Sequence, residues 1–239
     1  MHIIEVKNVT VNAKNKQWTA FTILEQISFN VKKWEIFAFI GPNGAGKSTS
    51  IRTILWLQAF SSGEITLFWE PLKTHNNYKK NIGYAPDQAI FYTHFTAKEH
   101  LKFFSRLWWT TLSDTKAQQL LQLVGLEHTN KTYVKDFSQG MKQRLGLAIS
   151  LTNDPELLVW DEPMNGLDPL GRKQVKTLIK TLQGQGKTIF FSTHILTDVE
   201  ELADRFGLIH QWKILTQKQV KDIQGSLEDF FIKQTTQII

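Results

Sequence analysis

The chain has 239 residues, a formal net charge of +6 and no cysteine. Without cysteine it forms neither disulfides nor thiolate metal sites, and its basic residues are spread out with no RNA-binding or zinc-finger pattern, so no nucleic-acid binding is predicted. No apolar stretch approaches the ~20 residues that span a bilayer and no signal peptide is expected, so we expect one cytosolic domain over 1–239.

The first motif in chain order is a glycine-rich loop that follows a short apolar run. IFAFI at 36–40 predicts a buried strand, and GPNGAGKST follows it at 41–49, matching G-x-x-x-x-G-K-[ST] before a predicted helix. In this pattern the backbone N–H groups converge on a phosphate, Lys47 reaches the β- and γ-phosphates, and Ser48 binds Mg²⁺. The alternative is a turn that binds nothing. The predicted nucleotide-binding residues are Gly41, Pro42, Asn43, Gly44, Ala45, Gly46, Lys47, Ser48 and Thr49.

Helical patterns without strands occupy about 90–150, which predicts a helical subdomain. TAKE at 96–99 resembles a capping box, and a second amphipathic stretch stops at Gly125. Ser138 and Gly140 open a further helix, whose N-terminus is predicted to receive an anion. The phosphate loop already has a helix N-terminus of its own, so this second one suggests a second nucleotide or a second subunit.

Two later apolar runs each end in polar residues suited to hydrolysis. LLVW at 157–160 precedes Asp161 and Glu162, and a run starting at Lys187 ends before His194. Parallel strands present their carboxyl ends at one sheet edge, where α/β proteins bind ligands. Asp161 is predicted to hold Mg²⁺, Glu162 to polarise the attacking water, and His194 to hydrogen-bond the γ-phosphate. The alternatives are that Asp161 caps a turn and that His194 is an exposed helix residue.

In the order of its motifs, nearly the whole chain resembles the ATP-binding subunit of an ABC transporter. GPNGAGKS resembles the Walker A loop, LLVWDE resembles Walker B, and FSQGM at 137–141 resembles the LSGGQ signature. YAPDQ supplies Gln88 as the Q-loop glutamine, NGLD at 165–168 resembles the D-loop, and His194 matches the switch histidine. The resemblance implies a P-loop NTPase (RecA-like) α/β core with an N-terminal antiparallel β subdomain and an inserted helical subdomain.

The resemblance also implies an assembly around ATP. Two subunits, identical or paralogous, would close head to tail around two ATP molecules, with Ser138, Gly140 and the D-loop residue Asp168 near nucleotide. Gln88 would reach Mg²⁺ and the attacking water, and Trp18 would stack on adenine. Integral membrane permease subunits would contact the segment after Gln88, which places the protein at the cytoplasmic face of the cell membrane.

More narrowly, the stretch GMKQRLGLAISLTNDPELLVWDEPMNGLDPLG and the ending SLEDFF resemble the bacitracin-resistance and lantibiotic-immunity exporters. One alternative is a soluble ABC ATPase that acts on ribosomes or DNA, a class that usually carries two ATPase halves or a long coiled-coil insertion. Another is a nucleotide-binding module that no longer hydrolyses, which predicts loss of Glu162, Asp161 or Ser48. The sequence retains these three residues and contains one phosphate-loop motif.

Several of the eight tryptophans stand at predicted tight turns where the resembled family usually has glycine. These are Trp34, Trp69 and Trp212, with Trp56 and Trp109 similar. Such turns favour a positive φ, which glycine adopts readily. Two interpretations stay open: a tryptophan-rich homologue, or glycines encoded by UGA and translated as tryptophan. The second would also remove the adenine stack if Trp18 is one of these positions.

Overall fold

The chain divides into two units in this computed structural model, which describes residues 1–14, 19–72, 77–108, 110–129 and 131–236. The first unit comprises Met1–Tyr78 and Phe190–Ile239, and the second comprises Lys79–Ile189. Trp18 and Trp109 lie outside the described residues.

The first unit contains an antiparallel sheet built from alternating apolar residues. Its strand order is β2-β1-β4-β5, with β1 (His2–Lys14), β2 (Ala20–Lys32), β4 (Ser62–Leu67) and β5 (Glu70–Pro71). Val6 of β1 lies opposite Phe29 of β2 and Ile65 of β4, and all three side chains are buried. This sheet is the N-terminal antiparallel subdomain that the family resemblance implied.

The same unit holds further strands in the order β10-β9-β3-β8. They are β3 (Ile36–Ile40), β8 (Thr188–Thr193, which belongs to this unit from Phe190 onward), β9 (Arg205–His210) and β10 (Lys213–Gln219). The unit's helices are α1 (Lys47–Ile54), α6 (Leu196–Leu202) and α7 (Leu227–Thr236). β3 and β8 are buried throughout, as their apolar runs predicted, and β3 pairs in parallel with β9. Phe29 stacks on Phe37 and Phe39 and contacts Phe190, which joins the antiparallel sheet to these strands through an aromatic core.

A buried ion pair between Arg205 and Glu35 lies in the first unit, where β3 begins. The Arg205 guanidinium donates from Nη1 to Glu35 Oε1 at 2.8 Å, and the Lys32 backbone N–H donates to the same oxygen at 2.6 Å. Burial raises the pKa of Glu35, although the Lys32 N–H and Arg205 act against that rise. Both side chains are nearly inaccessible, so removing either would leave its partner's charge buried without compensation.

The second unit pairs β6 (Ile82–Ala85) in parallel with β7 (Leu157–Trp160), with Ala85 opposite Trp160. Trp160 is fully buried and donates its indole N–H to Ser150 Oγ at 2.9 Å. The helices of this unit are α2 (Ala97–Leu107), α3 (Asp114–Leu123), α4 (Gln139–Ser150) and α5 (Pro169–Gly184). Among the described residues of the whole chain, no helix combines the length and apolarity that a membrane crossing needs.

The start of α2 confirms the predicted capping box and adds a buried histidine. Thr96 Oγ1 accepts from the Glu99 N–H, while the Glu99 carboxylate accepts from the Thr96 N–H. One turn later, His100 Nε2 accepts from the Tyr92 N–H at 3.0 Å, and Nδ1 lies 2.9 Å from the Thr96 carbonyl oxygen. A carbonyl only accepts, so Nδ1 carries the proton and the ring is neutral. Burial lowers the pKa of His100, in keeping with this.

Candidate functional site

The predicted phosphate loop connects β3 to α1 in the first unit, and at two of its glycines the backbone lies too close to its neighbours for a side chain. A Cβ added at Gly41 would lie 2.2 Å from the Ile209 carbonyl oxygen, and one at Gly46 would lie 2.7 Å from Leu24 Cδ2. Gly44 and Gly46 have φ values of 81° and 108°, which L-residues rarely adopt. The loop therefore needs glycine at these positions for steric and conformational reasons.

Lys47 is held within this loop. Its side chain is 5% exposed, and Nζ donates to the Gly41 carbonyl at 2.8 Å and to the Pro42 carbonyl at 3.2 Å. Gly46, the N-cap of α1, has no side chain to cap the helix. The backbone N–H groups at the start of α1 and the Lys47 ammonium therefore lie together in one short loop, an arrangement that suits a phosphate.

His194 belongs to the same unit and directly follows β8. β8 is hydrogen-bonded to β3, the strand that leads into the phosphate loop. The His194 side chain is exposed, just ahead of α6. The structure thus brings the strands before Gly41 and His194 side by side, as the sequence predicted.

Asp161 and Glu162 follow β7 in the second unit. Asp161 is 4% exposed, and its backbone N–H donates to the Ala85 carbonyl at 2.8 Å. Glu162 has a φ of 49°, so the chain turns sharply at this residue. Its carbonyl oxygen accepts from Gln143 Nε2 at 3.3 Å and from the Asn165 N–H at 3.0 Å. These two donors fix the turn that presents the Glu162 carboxylate.

Gln88 lies on the loop after β6 and is exposed. It lines a cleft together with Gln139 and Gln143 of α4. Its neighbour Asp87 accepts from Asn165 Nδ2 at 2.9 Å. Within the second unit the structure therefore joins the Gln88 loop, the start of α4 and the turn at Glu162.

Ser138 is the N-cap of α4, as predicted. Its Oγ accepts from the Met141 N–H at 3.2 Å, and its side chain is exposed. A Cβ at Gly140 would lie 3.2 Å from Leu167 Cδ2, so the segment before α5 packs on the first turn of α4. Asp168 caps α5, with Oδ1 accepting from the Gly171 N–H at 2.9 Å.

Comparisons with known proteins decide the family. A sequence model of the ABC transporter family matches residues 24–165. The chain belongs to the ABC transporter family. A lantibiotic transport ATP-binding protein of Streptococcus pyogenes is 39% identical to this ABC protein over 219 residues, which are 92% of this chain and 93% of that protein. A bacitracin transport ATP-binding protein of Bacillus licheniformis is 41% identical over 80% of this chain and 63% of its own length.

A solved ATP-binding subunit of an ABC transporter, 29% identical to this ABC protein, superimposes with a TM-score of 0.85 over 98% of this chain and 99% of that one. A dimeric cassette bound to ADP and phosphate, 22% identical over 93% of this chain and 99% of its own, shares the fold with a TM-score of 0.83. The predicted P-loop α/β fold is confirmed. The chain is an ATP-binding subunit that couples ATP hydrolysis to transport.

Sequence reasoning overlooked two polar side chains of this ABC subunit, one connected to the predicted site residue Glu162 and one to the D-loop-like stretch that begins at Asn165. Gln143 bonds the Glu162 carbonyl, and Asp87 bonds Asn165. The only sequence signal for Gln143 is a polar residue at a position of α4 that is otherwise suited to the core, and it is 5% exposed. The partners of both side chains lie far away in sequence, so no local pattern predicts them.

Proposed function

We propose that this protein is the ATPase subunit of an exporter of antimicrobial peptides or related drugs of the lantibiotic and bacitracin type. The similarity to the lantibiotic transport protein, 39% identity over nearly the full length of both chains, carries the proposal. Support comes also from the complete set of hydrolytic residues, which includes Lys47, Asp161, Glu162 and His194. A subunit that only bound nucleotide would not need Glu162.

ATP binding is assigned to the loop from Gly41 to Thr49. The buried Lys47 ammonium exchanges its two carbonyl partners for the β- and γ-phosphate oxygens, while the N–H groups of the loop and of the first turn of α1 bind the same anion. Gly41 and Gly46 let the loop lie close against Ile209 and Leu24, where a Cβ would clash. The site is thus organised before the nucleotide arrives.

The oxygen donors present suit Mg²⁺. The Ser48 hydroxyl, the Gln88 amide oxygen and the Asp161 carboxylate are hard ligands of the kind that Mg²⁺ prefers, and a carboxylate as buried as that of Asp161 favours a nearby cation. When bound, Mg²⁺ neutralises charge on the phosphate oxygens. The family resemblance supports Ser48, Asp161 and Gln88 as the residues that would hold it.

Hydrolysis is assigned to Glu162 and His194. The Glu162 carboxylate accepts a proton from the attacking water, and its turn is held by Gln143 and Asn165. The His194 imidazole hydrogen-bonds the γ-phosphate, where negative charge is concentrated during transfer. Glu162 is assigned to the attacking water and not to the phosphates, so its substitution should lower turnover with little loss of ATP affinity.

ATP is proposed to close two subunits head to tail. The N-terminus of α4 is exposed, with Ser138 and Gly140 ready to bind the γ-phosphate of an ATP held by the partner subunit. Asp168 borders this surface and is engaged in capping α5. Closing and opening of this dimer would drive integral permease subunits, which places the protein at the cytoplasmic face of the membrane.

The testing experiment uses Glu162→Gln, with the exposed Glu228→Gln on α7 as a matched control. We expect Glu162→Gln to bind ATP, to lose nearly all turnover and to elute as a dimer in size-exclusion chromatography with ATP. Glu228→Gln should hydrolyse ATP like the wild type. Turnover that is undiminished in Glu162→Gln would refute the assigned base.

Export is tested separately in a bacitracin- and lantibiotic-sensitive host that carries the protein with a permease pair of this type. Raised resistance that disappears with Glu162→Gln is expected. Equal sensitivity with and without the active protein would refute the assigned cargo and leave the ATPase assignment intact.

A further inference from the structure

Four of the tryptophans have a left-handed backbone. Trp34, Trp56, Trp69 and Trp212 have φ values of 69°, 57°, 66° and 67°. A bulky residue with such a φ is a conformational outlier, whereas glycine adopts it without steric cost. The positive φ predicted at Trp34, Trp69 and Trp212 is therefore present, and Trp56 shares it.

Two of the four lie in two-residue β-hairpins. Trp212 follows Gln211, which has a φ of 45°, and the strand pair His210 and Lys213 encloses them. Trp69 follows Phe68, with a φ of 50°, between another such strand pair. Positive φ at both central positions defines the type I′ turn, whose second position strongly prefers glycine.

Trp56 ends helix α1 in a Schellman motif. Its N–H donates to the Thr53 carbonyl at 3.1 Å, and the Leu57 N–H donates to the Arg52 carbonyl at 2.8 Å. Trp56 thus occupies the left-handed position that follows the helix, which is usually glycine in helices that end this way. Trp34 lies in the short connection from β2 to β3. Four separate positions, in three kinds of turn, thus place tryptophan where glycine is favoured.

At three of the four positions burial does not compensate for the backbone, and Trp56 is half-buried against Phe60. The Trp34, Trp69 and Trp212 side chains are 62%, 43% and 44% exposed. The Lys33 ammonium lies 5.2 Å from the Trp34 ring centroid and 5.6 Å from that of Trp69, a contact that is weak at exposed sites. Trp160, by contrast, is fully buried, hydrogen-bonded to Ser150 and outside the positive-φ set. The buried, hydrogen-bonded environment of Trp160 suits tryptophan, whereas the exposed turns with a left-handed backbone do not.

We propose that the natural protein has glycine at positions 34, 56, 69 and 212, because its gene encodes them as UGA and its organism reads UGA as glycine. Tryptophan is encoded by UGG, and a translation that assigns UGA to tryptophan writes both codons as the same residue. One reassigned codon then explains all four positions, whereas a tryptophan-rich homologue needs four separate unfavourable replacements. The proposal requires that the native organism has a transfer RNA charged with glycine whose anticodon pairs with UGA.

The gene and the native protein provide the direct test. We expect UGA codons at 34, 56, 69 and 212 and UGG at 160, with peptides from the native organism showing the mass of glycine at the four positions. A UGG codon, or a peptide carrying tryptophan, at any of the four overturns the proposal for that position.

Recombinant stability gives an independent test. Relative to the chain with all tryptophans, we expect each of W34G, W56G, W69G and W212G to raise the melting temperature by about 2–4 °C, since the left-handed strain is removed. W160G, the control, should lower it by creating a cavity. A fall in melting temperature for the four combined substitutions would show that tryptophan stabilises these turns and would overturn the proposal.

A second inference concerns catalysis and rests on the proposed function. We infer that Gln143 is a positioning residue for Glu162. It is almost fully buried, and its Nε2 donates to the Glu162 carbonyl at 3.3 Å, at a residue whose φ of 49° needs support. Gln143 also lines the cleft beside Gln88. Its hydrogen bond therefore links α4 to the turn that carries the proposed base, Glu162. Without the donor, the Glu162 turn relaxes and its carboxylate is misplaced.

Gln143→Glu and Gln143→Met both remove the donor, one with a carboxylate and one with an apolar chain of similar length. We expect each to lower kcat by about tenfold to 10²-fold with little change in KM for ATP, because a misplaced base weakens only the reaction. Gln122→Glu, on the exposed face of α3, is the control. An unchanged kcat in a folded Gln143 variant overturns the inference, whereas an inactive wild type would refute the proposed function instead.

Discussion

Replacing Gly46 with alanine tests whether the phosphate loop is held in shape before ATP binds. The added Cβ would lie 2.7 Å from Leu24 Cδ2 and 3.3 Å from Ile209 Cδ1, at a φ of 108°. Backbone strain of about 1–3 kcal/mol and overpacking of a similar size together give roughly 2–6 kcal/mol. The chain avoids this strain only by moving the loop, so ATP binding must restore the strained shape.

Because each 1.4 kcal/mol changes an equilibrium constant about tenfold, Gly46→Ala should weaken ATP binding by roughly 30-fold to 10⁴-fold. Gly44→Ala is a graded comparison, since its φ is 81° but no atom lies within 4 Å of the added Cβ. Only the left-handed strain of about 1–2 kcal/mol remains there, which corresponds to roughly five- to 30-fold weaker binding.

The assay is equilibrium ATP binding, with thermal unfolding of each variant to confirm that it folds. Gly184→Ala, at the end of α5 where no atom lies within 4 Å of the new Cβ, serves as the control with unchanged affinity. Affinity for ATP that is equal in Gly46→Ala and the wild type would refute the argument. So would an equal loss in Gly44→Ala and Gly46→Ala, since the contact with Leu24 would then have no effect.

Two further predictions concern stability. Burial lowers the pKa of His100 in the folded state, so its contribution to the free energy of unfolding should be fully present above about pH 6.5 and be lost below it, by at most about 1.4 kcal/mol at pH 5.5. In urea unfolding, His100→Gln should flatten this pH dependence, whereas replacement of the exposed His94 by Gln should leave it unchanged. Glu35→Ala leaves Arg205 buried without its carboxylate, so unfolding free energy should fall by about 3–5 kcal/mol and the melting temperature by roughly 6–20 °C; a change below ~1 kcal/mol would mean that water replaces the carboxylate.

The predicted strands and helix starts depend on short stretches of sequence, and for that reason they were readable. The run from Ile36 to Ile40 is continuously apolar and forms the buried strand β3. Thr96 and Glu99 form the capping box because both partners lie within one helical turn. The glycines of the phosphate loop were identified by the same kind of local spacing.

The sequence by itself determined the glycine-rich loop after β3, the two acids after β7, the histidine after β8 and the turns that favour glycine, because each is set by residue type and spacing within a few positions. Only the tertiary structure decided that Gln143 holds the Glu162 turn and that Arg205 neutralises Glu35, since these partners are 19 and 170 positions apart. It also revealed the left-handed φ of Trp56 at the end of α1. Contacts between distant segments depend on how strands and helices pack, and no local pattern encodes them.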